Sequence, residues 1–426
     1  MWFSQLVPYS ARGTLYYDLR SATLSGVFMG TTALLPMVVK KTLGASDWEV
    51  AVLIGAPVAG HLLSIYWARL CYHRPKMPFV LWSGLVSRGM FFLLAFLTTA
   101  TPIVLVAAVS SFVATIGFPA INAIQRHNYP RSHRYRAVGT VMTLFNFSAL
   151  ASSWLVGRLL VHNVWFYRWL FPLAALFGLA STLIFARIKV RGERRLAEEA
   201  PPAHSTVASF RILLDNRPFG LYMMFQMITG MAFLISSPAL ISYLYQLHVP
   251  YDQAAIVLSV IPSALLIVTL PVWSRILQHM EPMQSRNVLC LFWGAGFLIL
   301  GLSRNITMIY VGQVVLGLAS GGGALLWTLA QMHYASKKEM PLYSGVHATL
   351  TGIRGIVAPL LGAWLLQVTR PTSVFFITAG LLGLGIIYPQ LLRLSGVRGR
   401  DSRAASTVPG AGKPSPVRVP KTDLQA

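Results

Sequence analysis

The sequence predicts an all-α polytopic membrane protein: 12 transmembrane helices in two six-helix bundles, with both termini cytoplasmic. Three observations predict this. Of 426 residues, 55% are hydrophobic and only 11% charged, with a mean hydropathy of +0.60, whereas a soluble globular chain carries about 25% charged residues. Apolar stretches of about 20 residues, the length that crosses a bilayer core, recur along the chain. The basic residues collect in alternate loops. This composition excludes a soluble enzyme, a disordered chain and a coiled coil. Two cysteines, Cys71 and Cys290, make neither a disulfide framework nor a cysteine metal cluster.

The spans are expected at 20–40, 47–68, 78–99, 101–124, 137–160, 164–186, 218–244, 252–274, 287–303, 305–331, 343–368 and 371–392. Pro57, Pro119, Pro262 and Pro359 fall inside them, which membrane helices tolerate because neighbouring helices re-satisfy the freed backbone groups. Residues 1–19 lack the long apolar run of a signal peptide. The chain divides into an N-terminal six-helix bundle (1–186), a basic cytoplasmic central loop (187–217), a C-terminal six-helix bundle (218–394) and a tail (395–426). The central loop carries Arg187, Lys189, Arg191, Arg194, Arg195 and Pro201-Pro202. The tail is rich in Arg, Ser, Pro and Gly and is expected to be disordered.

The formal charge is +23. With the N-terminus inside, 27 of the 35 Lys and Arg fall in inner loops, Arg286 counted with the loop 275–286, and six fall in outer loops: Lys40, Lys41, Arg158, Arg168, Arg304 and Arg370. Arg88 and Arg354 lie inside spans. This is the positive-inside bias. It accounts for most of the net charge, so no nucleic-acid partner is needed; anionic lipid facing the inner loops is the expected basic-patch partner.

The two halves repeat at an offset near 205. Ser25-Gly26 matches Thr229-Gly230; Leu43, Asp47, Leu53 and Pro57 match Leu247, Asp252, Leu258 and Pro262; Trp67-Ala68-Arg69 and His73 match Trp273-Ser274-Arg275 and His279; Gln125 and His127 match Gln331 and His333. This ordered series indicates a parallel six-plus-six duplication.

With this layout the chain resembles the major facilitator superfamily of secondary transporters up to residue 394. Leu43-Gly44-Ala45-Ser46 is similar to that family's first outer loop. The family's loop signature, Gly-x-Leu-Ala-Asp-Arg-x-Gly-Arg-Arg, corresponds here to Trp67-Ala68-Arg69-Leu70-Cys71-Tyr72-His73-Arg74 and to Trp273-Ser274-Arg275-Ile276. The basic character is kept while the Asp and Gly are not, so Arg69, Arg74 and Arg275 are candidate gating residues of an altered inner latch. The resemblance implies two bundles around a central cavity, a solute bound near the midplane, and halves that rock around it. It also implies a multi-pass protein of the cell (inner) membrane, working as a monomer without cofactor or metal.

All 12 acidic residues can be placed, and none is expected deep in a span. Intramembrane carboxylates are the usual proton relays and cation sites, so this census argues against carboxylate-driven antiport and cationic-drug export. Arg354 points the other way. It lies roughly 16 Å into span 11 at 1.5 Å per residue, where a cation costs about 2.5–3.5 kcal/mol unless it faces water or a partner. His347, seven residues earlier, shares its helix face, and the repeat sets Asn146 opposite Arg354, with Thr143 opposite Thr351. The reading is an anion site, with Arg354 as anchor and His347, Asn146, Gln331 and Gln226 as hydrogen-bonding partners; a guanidinium fork suits carboxylate or phosphate. The competing reading has Arg354 bonding carbonyls at the bundle interface. His61 and His347 are candidate proton carriers because imidazole titrates near neutrality. Arg88 is expected to serve structure, paired with polar groups of span 2 such as His61 or Ser64, or snorkelling. Gln125-Arg126-His127 and Gln331-Met332-His333 are expected at inner helix ends, bound to lipid phosphate or latching the gate. No ordered catalytic constellation is present, so no enzyme is expected.

The function expected is secondary or facilitative transport of a small anionic or zwitterionic solute by alternating access. The alternative is a transporter-like fold that does not transport and serves as a membrane assembly factor or scaffold.

Overall fold

A computed structural model describes residues 6–72, 74–190, 210–335 and 340–394. Among these residues, eleven helices are long and apolar enough to cross a membrane, and a further apolar helix, Pro371–Ile387, is shorter. In chain order they are α1 (Tyr9–Lys41), α2 (Asp47–Ala68), α3 (Lys76–Ala95), α4 (Ala100–Asn128), α5 (Arg131–His162), α6 (Val164–Phe185), α7 (Arg217–Gln246), α8 (Tyr251–His279), α9 (Pro282–Leu302), α10 (Ile306–Trp327), α11 (Met340–Val368) and α12 (Pro371–Leu394). The expected tail and most of the central loop lie outside the described residues.

Local chemistry sets the ends. Ser46 and Glu49 form a capping box that opens α2, with the Glu49 amide donating to Ser46 Oγ over 3.2 Å and the Ser46 amide to Glu49 Oε2 over 2.8 Å. The side chains of Asn163, Asn216 and Asn305 accept from amides at the starts of α6, α7 and α10. Helical irregularities occur next to prolines: α1 breaks at residues 33–34 ahead of Pro36, and α8 carries a π-helical turn, Ile256–Val260, ahead of Pro262. A 3₁₀ turn, Gly60–Leu63, follows Pro57 in α2.

Helix α1 packs on α5 and α6, α7 on α11, and α9 and α8 on α10. The first six helices meet the last six mainly through α2 against α11 and α5 against α8. The α2–α11 crossing is close because both partners are bare there: a Cβ built on Gly55 would fall 2.6 Å from the carbonyl oxygen of Gly355, and one on Gly355 would fall 2.6 Å from the Ala59 amide.

Three helix starts differ from the sequence reading by five residues or more; one is α5, which begins at Arg131 rather than 137. Helix α1 begins at Tyr9 rather than residue 20, so Asp18 lies within it and is buried. The helix extends through a polar turn because Tyr129 Oη and Gln125 Nε2 donate to Asp18 Oδ2 over 2.9 and 3.2 Å. The acidic census is corrected accordingly, and Gln125 is a partner of Asp18. Arg126 and His127 are exposed. Helix α9 begins at Pro282, so Arg286, counted above as a loop residue, is inside a span and 4% exposed.

At the face expected to be outer, hydrogen bonds and an ion pair join the halves. Lys41 Nζ donates to the Val249 carbonyl over 2.6 Å, Thr42 Oγ1 bonds Tyr251 Oη, and Arg158 pairs with Asp252 at 3.2 Å.

Candidate functional site

Helix α11 carries Arg354 into the protein interior, where it is 9% exposed. Its Nη1 donates to the Gln226 carbonyl of α7 over 3.0 Å. The guanidinium occupies the space a side chain would take at Gly230, since a Cβ there would overlap Nη1. One turn of α7 therefore supplies both a carbonyl and a gap for this cation.

A second guanidinium reaches the same turn. Arg286 of α9 donates from Nη2 to Thr229 Oγ1, and its Cζ stands 5.4 Å from the centre of the Trp293 ring. Thr229 Oγ1 in turn donates back along α7 to the Phe225 carbonyl, over 3.1 Å. Arg286 and Arg354 lie within electrostatic reach of one another and of Tyr222, which is 1% exposed. No carboxylate pairs with either arginine among the described residues. Arg354 Nε, Arg286 Nε and Gln226 Oε1 are buried without a hydrogen-bond partner. Unpaired buried polar atoms are rare, and each calls for a cause such as a bound water or ion.

Beside this pair is a wall of histidine and aromatic rings. The His347 ring centre is 5.2 Å from that of Trp327, which is 6.4 Å from His61. Phe118 meets His61 edge-on at 5.1 Å. His61 Nδ1 bonds Ser64 Oγ over 3.3 Å. The wall thus draws on α2, α4, α10 and α11.

The predicted residues fare unequally. Gln226 and Arg354 are brought together, through the Gln226 backbone rather than its amide side chain. His347, one face with Arg354, is buried next to Trp327. Asn146 turns to its own helix, donating to the Met142 carbonyl over 2.8 Å, and no described contact takes it to Arg354. The side chains of Gln331 and Arg69 lie outside the described residues. Arg74 and Arg275 are exposed, with no described contact across the halves. Arg88 pairs with neither His61 nor Ser64. It donates to the Gly178 carbonyl and Thr182 Oγ1 of α6, and to Ser25 Oγ of α1 over 3.0 Å. Three acceptors for one guanidinium make Arg88 a structural strut. Sequence reading missed Arg286, Thr229 and Tyr222. Pro282 carried the usable signal, because proline favours the first helical position and so puts Arg286 a full turn inside α9.

A cavity of about 430 Å³, lined by Arg74, Phe79, Trp82 and Val113 among others, lies between α3 and α4, away from this cluster. Arg354 and Arg286 are themselves buried.

Comparison with known proteins bears on family and fold. A family model described as Major Facilitator Superfamily matches residues 21–303 and again 223–421. The multidrug efflux pump SdrM of Staphylococcus aureus (strain N315) is 27% identical over 125 residues, 29% of this chain and 27% of the pump. The match therefore spans about a quarter of that relative's length. Among solved structures, a point mutant of the nucleoside transporter NupG is similar with a TM-score of 0.71 at 13% identity, covering 88% of this chain and 98% of that one. A bacterial homologue of the human lysosomal transporter Spinster, inward-facing and occupied, gives 0.64 at 14%, covering 88% and 95%. The human organic anion transporter MFSD10 gives 0.59 at 14%, covering 88% and 99%. At these identities the structural likeness is one of fold. The family match extends over most of the chain, which therefore belongs to the Major Facilitator Superfamily and is a multi-pass membrane transporter of small molecules, not an enzyme.

Proposed function

We propose that the protein moves a small anionic or zwitterionic solute across the cell (inner) membrane by alternating access, with Arg354 as the charge anchor. One observation carries this reading: the interior holds Arg354 and Arg286 on one turn of α7 with no described carboxylate to neutralise them. A buried charge is tolerated when paired, and an unpaired one is costly. A solute anion supplies the missing partner. One fold neighbour is named an organic anion transporter, which agrees in sign of charge but at 14% identity carries no weight of its own.

In this reading Gln226 contributes its backbone carbonyl to the anchor. His61 and His347 flank Trp327 and are the groups able to carry a coupling proton. Exchange, uniport and proton coupling all use the same anchor. Arg69, Arg74 and Arg275 remain gate candidates by position in the chain, and the anionic lipids of the inner leaflet are the partner of the basic loops.

The test is uptake into proteoliposomes preloaded with unlabelled solute, using a panel of labelled carboxylates, phosphate esters, amino acids, sugars and organic cations. The expected result is uptake of an anion or zwitterion that falls at least about tenfold in Arg354→Ala, the loss of one charged hydrogen-bonding group. Unchanged uptake in Arg354→Ala, or uptake confined to cations, overturns the reading. Failure of the whole panel with a folded protein moves weight to the scaffold alternative.

A further inference from the structure

We propose that Arg286 and Arg354 form a single two-cation site for a dianionic phosphate-class headgroup, a phosphomonoester rather than a monocarboxylate or zwitterion. This rests on the anion reading above and sharpens it to one substrate class.

The two guanidiniums come from different helices, α9 and α11, yet converge on one turn of α7. Arg354 bonds the Gln226 carbonyl and Arg286 bonds Thr229 Oγ1, three residues on. Three residues of helix rise about 4.5 Å, so the two acceptors are separated by less than one full turn. A single compact headgroup can therefore bridge both cations. Each guanidinium has five N–H donors, and among the described residues each uses one in a hydrogen bond. The buried Nε donors of both are unpaired. Both arginines are at least nine-tenths buried.

Stoichiometry of charge selects the class. Two cations held in mutual repulsion are neutralised by two negative charges. A monocarboxylate offers one charge and two oxygens, and leaves one cation bare. A zwitterion brings a further positive charge into a place that already holds two. A phosphomonoester brings two charges and three free oxygens, and accepts bidentately from either fork. A dicarboxylate also has two charges but divides them between two planar groups with two oxygens each. Arg88 supplies the internal comparison: it too sits between helices, but it meets three protein acceptors and needs no ligand.

The experiment is thermal stability and titration calorimetry on the full-length protein in detergent at pH 8. The probes are phenyl phosphate (dianion), methyl phenyl phosphate (monoanion of the same tetrahedral shape), benzoate and phenylalanine. The expected result is binding of phenyl phosphate at least tenfold tighter than of the other three. Arg286→Gln should remove that preference and leave a weak, non-discriminating anion site, while Arg286→Lys should keep part of it. Equal affinity for phenyl phosphate and methyl phenyl phosphate in the unaltered protein overturns the proposal without any variant. Binding of benzoate or phenylalanine that needs Arg354 but is indifferent to Arg286→Gln also overturns it, and leaves the parent anion reading standing. Binding of none of the four anionic or zwitterionic probes to folded protein sinks both.

Discussion

Gly230 lies directly beneath the guanidinium of Arg354, and its missing side chain is the space the cation fills. The repeat partner of Gly230 is Gly26, and that bare position does something else. A Cβ on Gly26 would meet the backbone carbonyl of Phe145 and Ser148 Cβ of α5. One half of the duplicated chain uses its small residue to bring two helices together, and the other half uses it to seat a charge. The first prediction follows from what each obstacle can do. A guanidinium at the end of a flexible stem can swing away, whereas a helix backbone cannot. Gly230→Ala should therefore fold with a loss of about 1–3 kcal/mol, the ordinary cost of overpacking, and lose anion-dependent thermal stabilisation. Gly26→Ala should be the more destabilising of the two. Anion stabilisation retained in Gly230→Ala would show that the seat does not matter to binding.

The two classes of interior arginine should separate in stability measurements without ligand. Arg88 is tied to Gly178, Thr182 and Ser25. Replacing it by Met removes three hydrogen bonds; Thr182 Oγ1 still donates to the Gly178 carbonyl, while Ser25 Oγ loses its donor, and the loss should be about 0.5–3 kcal/mol for each bond removed. Arg354→Met removes one hydrogen bond and also relieves repulsion from Arg286. The melting temperature of purified Arg88→Met should fall clearly, while that of Arg354→Met should stay level or rise. A larger fall in Arg354→Met would make Arg354 the structural residue.

Much of this was legible in the sequence, and the rest has physical reasons for being hidden. Hydropathy gave the spans because the bilayer core fixes their length. Arg354 stood out because a cation far into an apolar run is costly. Arg286 was hidden because apolar scanning begins a span at its first apolar run, while α9 starts five residues earlier at Pro282. Asp18 escaped for the same reason at α1, where Tyr129 and Gln125 satisfy a carboxylate that hydropathy counts as outside. Asn146 bonds its own helix, and a repeat transfers chain position and not packing: α1 sits on α5 at Gly26, so the place held by a guanidinium in the second half holds backbone in the first.

The contacts at the face expected to be outer should govern which side opens. Arg158 is 59% exposed in its side chain, and its pair with Asp252 should contribute at most about 1 kcal/mol. The Lys41 bond to the Val249 carbonyl and the Thr42–Tyr251 bond are part-buried. Each should contribute about 0.5–3 kcal/mol, more for the charged donor. In a spin-label distance measurement across this face, Lys41→Met with Tyr251→Phe should shift the population toward the open form by at least about fivefold, because the two bonds at their lower limit sum to about 1 kcal/mol and 1.4 kcal/mol is a factor of ten. Arg158→Ala alone should shift it less than about fivefold. The reverse order would place the latch in the exposed ion pair.

Tyr129 sets the last expectation, in pH. Its hydroxyl is held in the interior against Asp18, and burial together with the neighbouring carboxylate raises its pKa well above the ordinary phenol value of 10.0. The folded chain therefore keeps the proton where the unfolded chain releases it. Stability from this group is complete below pH 10 and is lost as the pH rises above it, because deprotonation then favours the unfolded state. One phenol contributes a slope approaching about 1.4 kcal/mol per pH unit in that range. Denaturation of the purified protein between pH 8 and 11 should show stability falling from about pH 10 onward, and Tyr129→Phe should lessen the fall by that amount while costing about 1 kcal/mol at pH 8 for the lost hydrogen bond. Identical slopes in the two proteins would mean that Tyr129 ionises in place, with the Asp18 contact too weak to hold its proton.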